Sequence, residues 1–128
     1  RGLLVPVVRH AEALDLWGLA GEVAALSASA RAGRSTRAEL SGSTITITSL
    51  GALGGIATTP IINRPEVAIV GVNRIVEKPV VRGGAVVVRR TMNLSSSFDH
   101  RVVDGADAAR FVQAVRALIE KPALLFIE

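Results

Sequence analysis

No cysteine occurs in the chain, which excludes disulfides, thiolate metal sites and a cysteine nucleophile. That absence fits the cytosol without fixing the compartment. Aromatic residues make up only 3% of the sequence, so there is no platform on which bases could stack. The net charge of +4 is carried almost wholly by arginine, and those arginines are scattered from position 1 to position 116 and form no stripe. Nucleic acid is therefore not an expected partner. No apolar run approaches the roughly 18–20 residues that a membrane span needs. The start, RGLLVPVVRHAE, lacks the shape of a signal peptide, because its apolar stretch is short and charge follows at once. It reads instead as a strand entered in mid-domain, as in a piece of something longer.

What remains is a globular chain of 128 residues, 49% hydrophobic and 20% charged, long enough for one domain with a core. Leu3–Val8 is a short aliphatic run that predicts a buried strand. Apolar residues at 16, 17, 19, 20, 23, 24 and 26 follow helical spacing up to Arg31, with Asp15 as N-cap and Gly33 as stop. Thr36-Arg-Ala-Glu39 matches a capping box and predicts a helical turn. STITITS (43–49) then alternates at period two, as a strand with one buried face does. GALGG (51–55) breaks it. EVAIVGV (66–72) is nearly all apolar, as a strand covered on both faces would be. Gly83-Gly84 predicts a hairpin turn between VVR and the run AVVVRRTMNLSSSF. Asp104 or Gly105 opens a last helix with an apolar stripe at 108, 111, 112, 115, 118 and 119, which Pro122 stops. The order of elements predicts an α/β two-layer sandwich, a mixed and mostly antiparallel sheet covered by helices. The apolar tail, ALLFIE, either folds back on its own core or docks on a neighbour.

The stretch SFDHRVVDG (97–105) places His100 between Asp99 and Asp104 at the end of a strand. Taken alone, His100 has a plain reading as a histidine satisfied by one of those carboxylates. A metal site is poorly supported, since one histidine, two carboxylates and a distant His10 do not supply zinc spacing. Ser95, Ser96 and Ser97 sit too close to His100 along one strand to serve as its nucleophile, and no GxSxG elbow exists. GALGG lacks the Lys-Ser/Thr of a phosphate loop.

Read as a whole, His100-Arg-Val-Val-Asp104-Gly105 resembles the HxxxDG signature of the chloramphenicol acetyltransferase-like acyltransferases. The longer DHRVVDGADAARF resembles the catalytic domain of the dihydrolipoamide acyltransferases of 2-oxoacid dehydrogenase complexes. ELSGSTITITSLGALGG (39–55), TTPIINRPEVAIVGV (58–72) and KPALLFIE resemble further landmarks of that family in the same order. The resemblance assigns residues 1–128 to the C-terminal part of the catalytic domain, with the lipoyl and subunit-binding domains elsewhere.

The resemblance implies acyl transfer between the thiol of dihydrolipoamide, on a lipoyl group carried by a separate domain, and coenzyme A as substrate, with no metal. An ordinary thiol at about 8.5 and an imidazole at about 6.5 make the proton transfer uphill by about 2.7 kcal/mol. That is a small cost, and it requires no enzyme nucleophile. The resemblance gives His100 the role of general base and assigns the oxyanion donor to Thr48, where many relatives have serine; Ser49 is the fallback. Asp104 acts beside His100 or holds the loop, and an N-cap alone also explains it. The family builds its site between subunits of a homotrimer, so Thr48 and His100 of one chain are not expected to meet. Trimers assemble into larger cores and recruit dehydrogenase and dihydrolipoyl dehydrogenase components through the other domains. The branched-chain or pyruvate type is favoured, in the bacterial cytosol or alternatively the mitochondrial matrix. Two other readings share the fold: an assembly scaffold without catalysis, and a stand-alone acetyltransferase.

Overall fold

The computed structural model describes residues 2–127, the side chain of residue 52 excepted. It divides into two compact units, one up to Thr44 and one from Ile45 onward.

In the first unit the main element is helix α1, Leu16–Arg31. Its first turn is capped as the sequence predicts, with the Asp15 carboxylate accepting from the Gly18 amide at 2.7 Å. At the other end Gly33 takes a left-handed φ of 68°. The Gly33 amide then reaches the Ala30 carbonyl and the Arg34 amide the Ser29 carbonyl, which satisfies carbonyls the helix leaves open. Thr36 and Glu39 form the reciprocal capping box: the Thr36 amide donates to Glu39 at 2.7 Å and the Glu39 amide to Thr36 at 3.3 Å. The Thr36 amide, and then the Thr36 hydroxyl at 2.9 Å, hold the Glu39 carboxyl below its usual range, and the box opens a 3-10 turn at Ala38–Leu40. Leu3–Val8, by contrast, forms no strand. Pro6 has no amide to offer, and the run's recorded bond to other backbone is from the Val7 amide to the Glu39 carbonyl.

Among the described residues the second unit holds five strands and an α-helix. These are β1 (Thr46–Ser49), β2 (Ala68–Val72), β3 (Val76–Arg82), β4 (Ala85–Thr91), β5 (Leu94–Phe98) and α2 (Gly105–Glu120). The sheet is in two pieces: a mixed one in the order β1-β2-β5, and the antiparallel hairpin β3-β4. β1 runs parallel to β2, and β5 antiparallel to it. Gly83 and Gly84, both at positive φ, make the tight hairpin turn that matches strand twist.

The run from Ala85 to Phe98 is not one strand. It breaks at Met92-Asn93, where the Asn93 carbonyl accepts from the Asn73 amide and the Asn93 side chain donates to the Ile56 carbonyl at 2.6 Å. Residues either side therefore pair into different sheets. The core lies along β2, where Ala68, Ile69 and Val70 are buried.

Residues opposite one another in a ladder share a face, and successive residues alternate. One face of the three-stranded sheet thus carries Thr46, Thr48, Ile69, Gly71, Ser95 and Ser97, and the other carries Val70, Val72, Leu94, Ser96 and Phe98. Helix α2 covers the second face: Phe111 meets Phe98 edge to face at 6.1 Å, and Phe111, Val112 and Val115 surround Val70 and Leu94. After α2, Pro122–Phe126 turns as a 3-10 helix. Leu124, Leu125, Phe126 and Ile127 remain exposed and do not fold back. Among the described residues no helix is long and apolar enough to cross a membrane.

Candidate active site

His100 stands in the short turn between β5 and α2 and is exposed. Among the described residues its ring has no hydrogen-bond partner. The turn around it is tightly fastened. The Asp99 amide extends the sheet ladder to the Val67 carbonyl at 2.8 Å, and the Val102 and Val103 amides return to the Asp99 carbonyl at 3.0 and 2.9 Å. The Asp99 carboxylate faces Arg101, and hydrogen bonds from that guanidinium, then from the Arg101 amide, lower its pKa from 3.8 to about 2.

Asp104 closes the turn at the start of α2. Its carboxylate accepts from the Asp107 amide at 2.8 Å and its carbonyl from the Ala108 amide at 3.0 Å, so it is the N-cap of α2. Among the described residues no hydrogen bond joins it to His100.

Thr48 is half-buried in β1 and its hydroxyl has no partner among the described residues. Ser49 points to the opposite face, and its hydroxyl accepts the Gly51 amide at 3.0 Å, which leaves its own proton to donate. Opposite Thr48 stands Gly71, a residue that sequence reasoning passed over. A Cβ there would lie 2.7 Å from the Thr58 hydroxyl and 3.0 Å from the Ser95 carbonyl. The missing side chain lets Thr58 and Ser95 pack close on this face of the sheet beside Thr48.

A polar cluster flanks that surface. The Ser95 hydroxyl accepts from the Thr58 amide at 3.2 Å and from the buried Asn73 side chain at 2.9 Å. Ser97 donates to the Pro60 carbonyl at 2.6 Å. The serines thus clamp the segment from 58 to 60 onto the sheet and are not reactive groups. Beneath Thr48, Thr46 donates to buried Glu66 at 2.6 Å, which pins the start of β1. The visible signal was a polar residue, Asn73, directly after a wholly apolar strand.

Thr48 and His100 do not come together. Thr48 is level with Gly71 and Ser95, whereas His100 follows Phe98 and Asp99 at the other end of the sheet. Three residues along and two strands across put Thr48 about 14 Å from Phe98, and His100 lies further on. A cleft of about 1030 Å³ opens between the hairpin, β5 and α2, and none of Thr48, His100 and Asp104 lines it. Among the described residues no group of three or more His, Cys, Asp or Glu could hold a metal ion.

The chain is similar to several known proteins. The lipoamide acyltransferase component of the branched-chain alpha-keto acid dehydrogenase complex of Pseudomonas aeruginosa is 71% identical over 127 residues, covering 99% of this chain and 30% of that protein. The dihydrolipoyllysine-residue acetyltransferase component of the pyruvate dehydrogenase complex of Staphylococcus aureus is 44% identical over 128 residues, again 30% of its length. Among solved structures, the dihydrolipoamide acetyltransferase of Azotobacter vinelandii, studied for the catalytic roles of a serine, a histidine and an asparagine, superposes with TM-score 0.94 at 44% identity. It is matched over 98% of this chain and 52% of its own. The cubic core of a pyruvate dehydrogenase multienzyme complex superposes equally well at 43% identity, with the same coverage. The chain thus spans about a third of the curated relatives and half of the solved cores. The family model for the 2-oxoacid dehydrogenase acyltransferase catalytic domain matches residues 1–127, and the chain belongs to that family.

Proposed function

We propose that the protein carrying this chain transfers an acyl group between the dihydrolipoamide thiol and coenzyme A in a 2-oxoacid dehydrogenase complex of the bacterial cytosol. The branched-chain type is favoured, because the branched-chain relative is 71% identical and the pyruvate-type relative 44%. One observation carries the residue roles. In the Azotobacter protein the serine lies 52 positions before the histidine and the asparagine four after it. Thr48 and Asp104 stand at the same offsets from His100.

His100 takes the proton of the coenzyme A thiol, and the thiolate attacks the thioester carbonyl of the acylated lipoyl group. A positioned base contributes about 10²–10⁴ in rate. The oxyanion that forms accepts the Thr48 hydroxyl, and such a donor is worth about 10²–10³. On collapse the C–S bond to the lipoyl sulfur breaks, and His100 returns the proton to that sulfur. Asp104 holds the end of the turn as helix cap. Since Thr48 and His100 of one chain stay apart, the His100 of one chain serves the Thr48 of its neighbour in a homotrimer. Trimers build the larger core, in which the exposed tail from Leu124 to Ile127 makes contacts. The dehydrogenase and dihydrolipoyl dehydrogenase components join through other domains.

The test is turnover of the full-length protein with acyl-CoA donors of differing size and free dihydrolipoamide, beside His100→Ala. A loss of about 10²-fold or more is expected. Unchanged turnover in the variant removes His100 as base. A wild-type protein that assembles but never turns over is a scaffold instead.

A further inference from the structure

Four hydrogen bonds tie the residue before His100 to the residue after it. The Arg101 amide donates to Asp99 Oδ1 at 3.0 Å. Arg101 Nε reaches Oδ1 at 3.0 Å and Oδ2 at 3.2 Å, and Nη2 reaches Oδ2 at 2.6 Å. The guanidinium fork thus closes on both oxygens of one carboxylate, and the backbone of His100 spans a ring whose two ends are held together. The Asp99 amide and carbonyl are anchored as well, to Val67 on one side and to Val102 and Val103 on the other.

This arrangement contributes little to folding on its own. The Arg101 side chain is 88% exposed, and exposed ion pairs have a median worth of about 0–1 kcal/mol. Its physical effect is local: with the flanking backbone fixed, only the two side-chain torsions of His100 stay free. The Asp99 carboxylate makes its hydrogen bonds, among the described residues, to Arg101.

We infer that Asp99 and Arg101 are positioning residues, a clamp that fixes the direction in which the turn presents the His100 imidazole. The inference rests on the reading of His100 as the base. A clamp of this kind matters because proton transfer demands a set geometry, and a misplacement of about 1 Å costs about 10²-fold.

The experiment uses the assembled full-length protein with Asp99→Ala, Asp99→Asn, Arg101→Ala, Arg101→Lys and His100→Ala. Turnover, the KM for each substrate, thermal midpoint and amide hydrogen exchange of residues 101–103 are measured. The expected result for Asp99→Ala and Arg101→Ala is a fall in kcat of about 10- to 100-fold, with KM within twofold, an unchanged midpoint and faster exchange. Arg101→Lys restores part of the loss, and Asp99→Asn keeps the acceptor for the Arg101 amide and falls between. Wild-type kcat in Arg101→Ala overturns the clamp. So does a kcat that falls only in step with the folded fraction, with Arg101→Lys no better than alanine. Because Arg101 is exposed, its variants decide the matter even if Asp99→Ala does not fold. A fully active His100→Ala overturns the base assignment instead, so the two failures are distinct.

Discussion

Gly71→Ala tests whether the close packing of Thr58 and Ser95 on Gly71, beside Thr48, is required. The added Cβ would stand 2.7 Å from the Thr58 hydroxyl, 3.0 Å from the Ser95 carbonyl and 3.6 Å from the Ser95 Cβ. Neither close neighbour gives way easily. Thr58 is β-branched and stiff at χ1, and its amide is held by Ser95; the Ser95 carbonyl belongs to the strand opposite. Overpacking of this kind costs about 1–3 kcal/mol. At about 2–4 °C per kcal/mol for a domain of 150–250 residues, a mid-range cost of about 2 kcal/mol lowers the thermal midpoint by about 4–8 °C. Because Gly71 pairs with Thr48, the same shift displaces the proposed oxyanion donor and lowers kcat. Thr58→Ala in the same chain removes the shorter contact and leaves the Ser95 carbonyl, so the pair recovers part of the loss, about 1 kcal/mol of coupling. Scanning calorimetry and steady-state turnover of the full-length protein read both effects. A Gly71→Ala protein with an unchanged midpoint and unchanged kcat refutes the reasoning.

Thr48→Ala should lower kcat by about 10²–10³, while Thr48→Ser, which keeps the hydroxyl, stays near wild type in the same assay. Asp104→Ala should lose about 0.5–2 kcal/mol through the lost cap, and Asp104→Asn almost nothing, since asparagine caps as well as aspartate; thermal unfolding checks both. Asp99 has its pKa lowered to about 2 from 3.8. Its contribution is therefore fully present above about pH 4 and is lost as pH falls through about 2. The amide signals of residues 101–103 in an NMR pH titration should accordingly hold steady down to about pH 4. Mixed particles assembled from His100→Ala and Thr48→Ala chains should regain turnover that neither variant has alone.

Local signals in the sequence were dependable where one residue satisfies its near neighbours. The Asp15 cap, the left-handed Gly33, the Thr36–Glu39 box, the Gly83-Gly84 turn and the Asp104 cap all involve bonds closed within a few positions, so their chemistry is written in adjacent letters. The apolar strand at 66–72 was equally plain. Readings that depend on a distant partner were harder. Leu3–Val8 has the composition of a strand, yet a strand exists only where another row of backbone groups meets it. The run from 85 to 98 reads as continuous because the bonds that break it come from Asn73 and Ile56. At the site, the motif marked His100 and Asp104, but not that Ser49 faces away from Thr48. Nor did it show that Gly71 admits Thr58 and Ser95 at close range beside Thr48, since a glycine in a strand carries no sign of what approaches it.

The opposite placement of Thr48 and His100 on the sheet has an arithmetic consequence. Under the proposed roles each chain is a link with a donor at one end and a base at the other. An isolated link completes no site; two joined links complete one and leave two loose ends; three links closed in a ring complete three. Under the proposed pairing, specific activity per chain should rise from nothing through one half to unity as association proceeds. Dilution would then silence the enzyme before any chain unfolds.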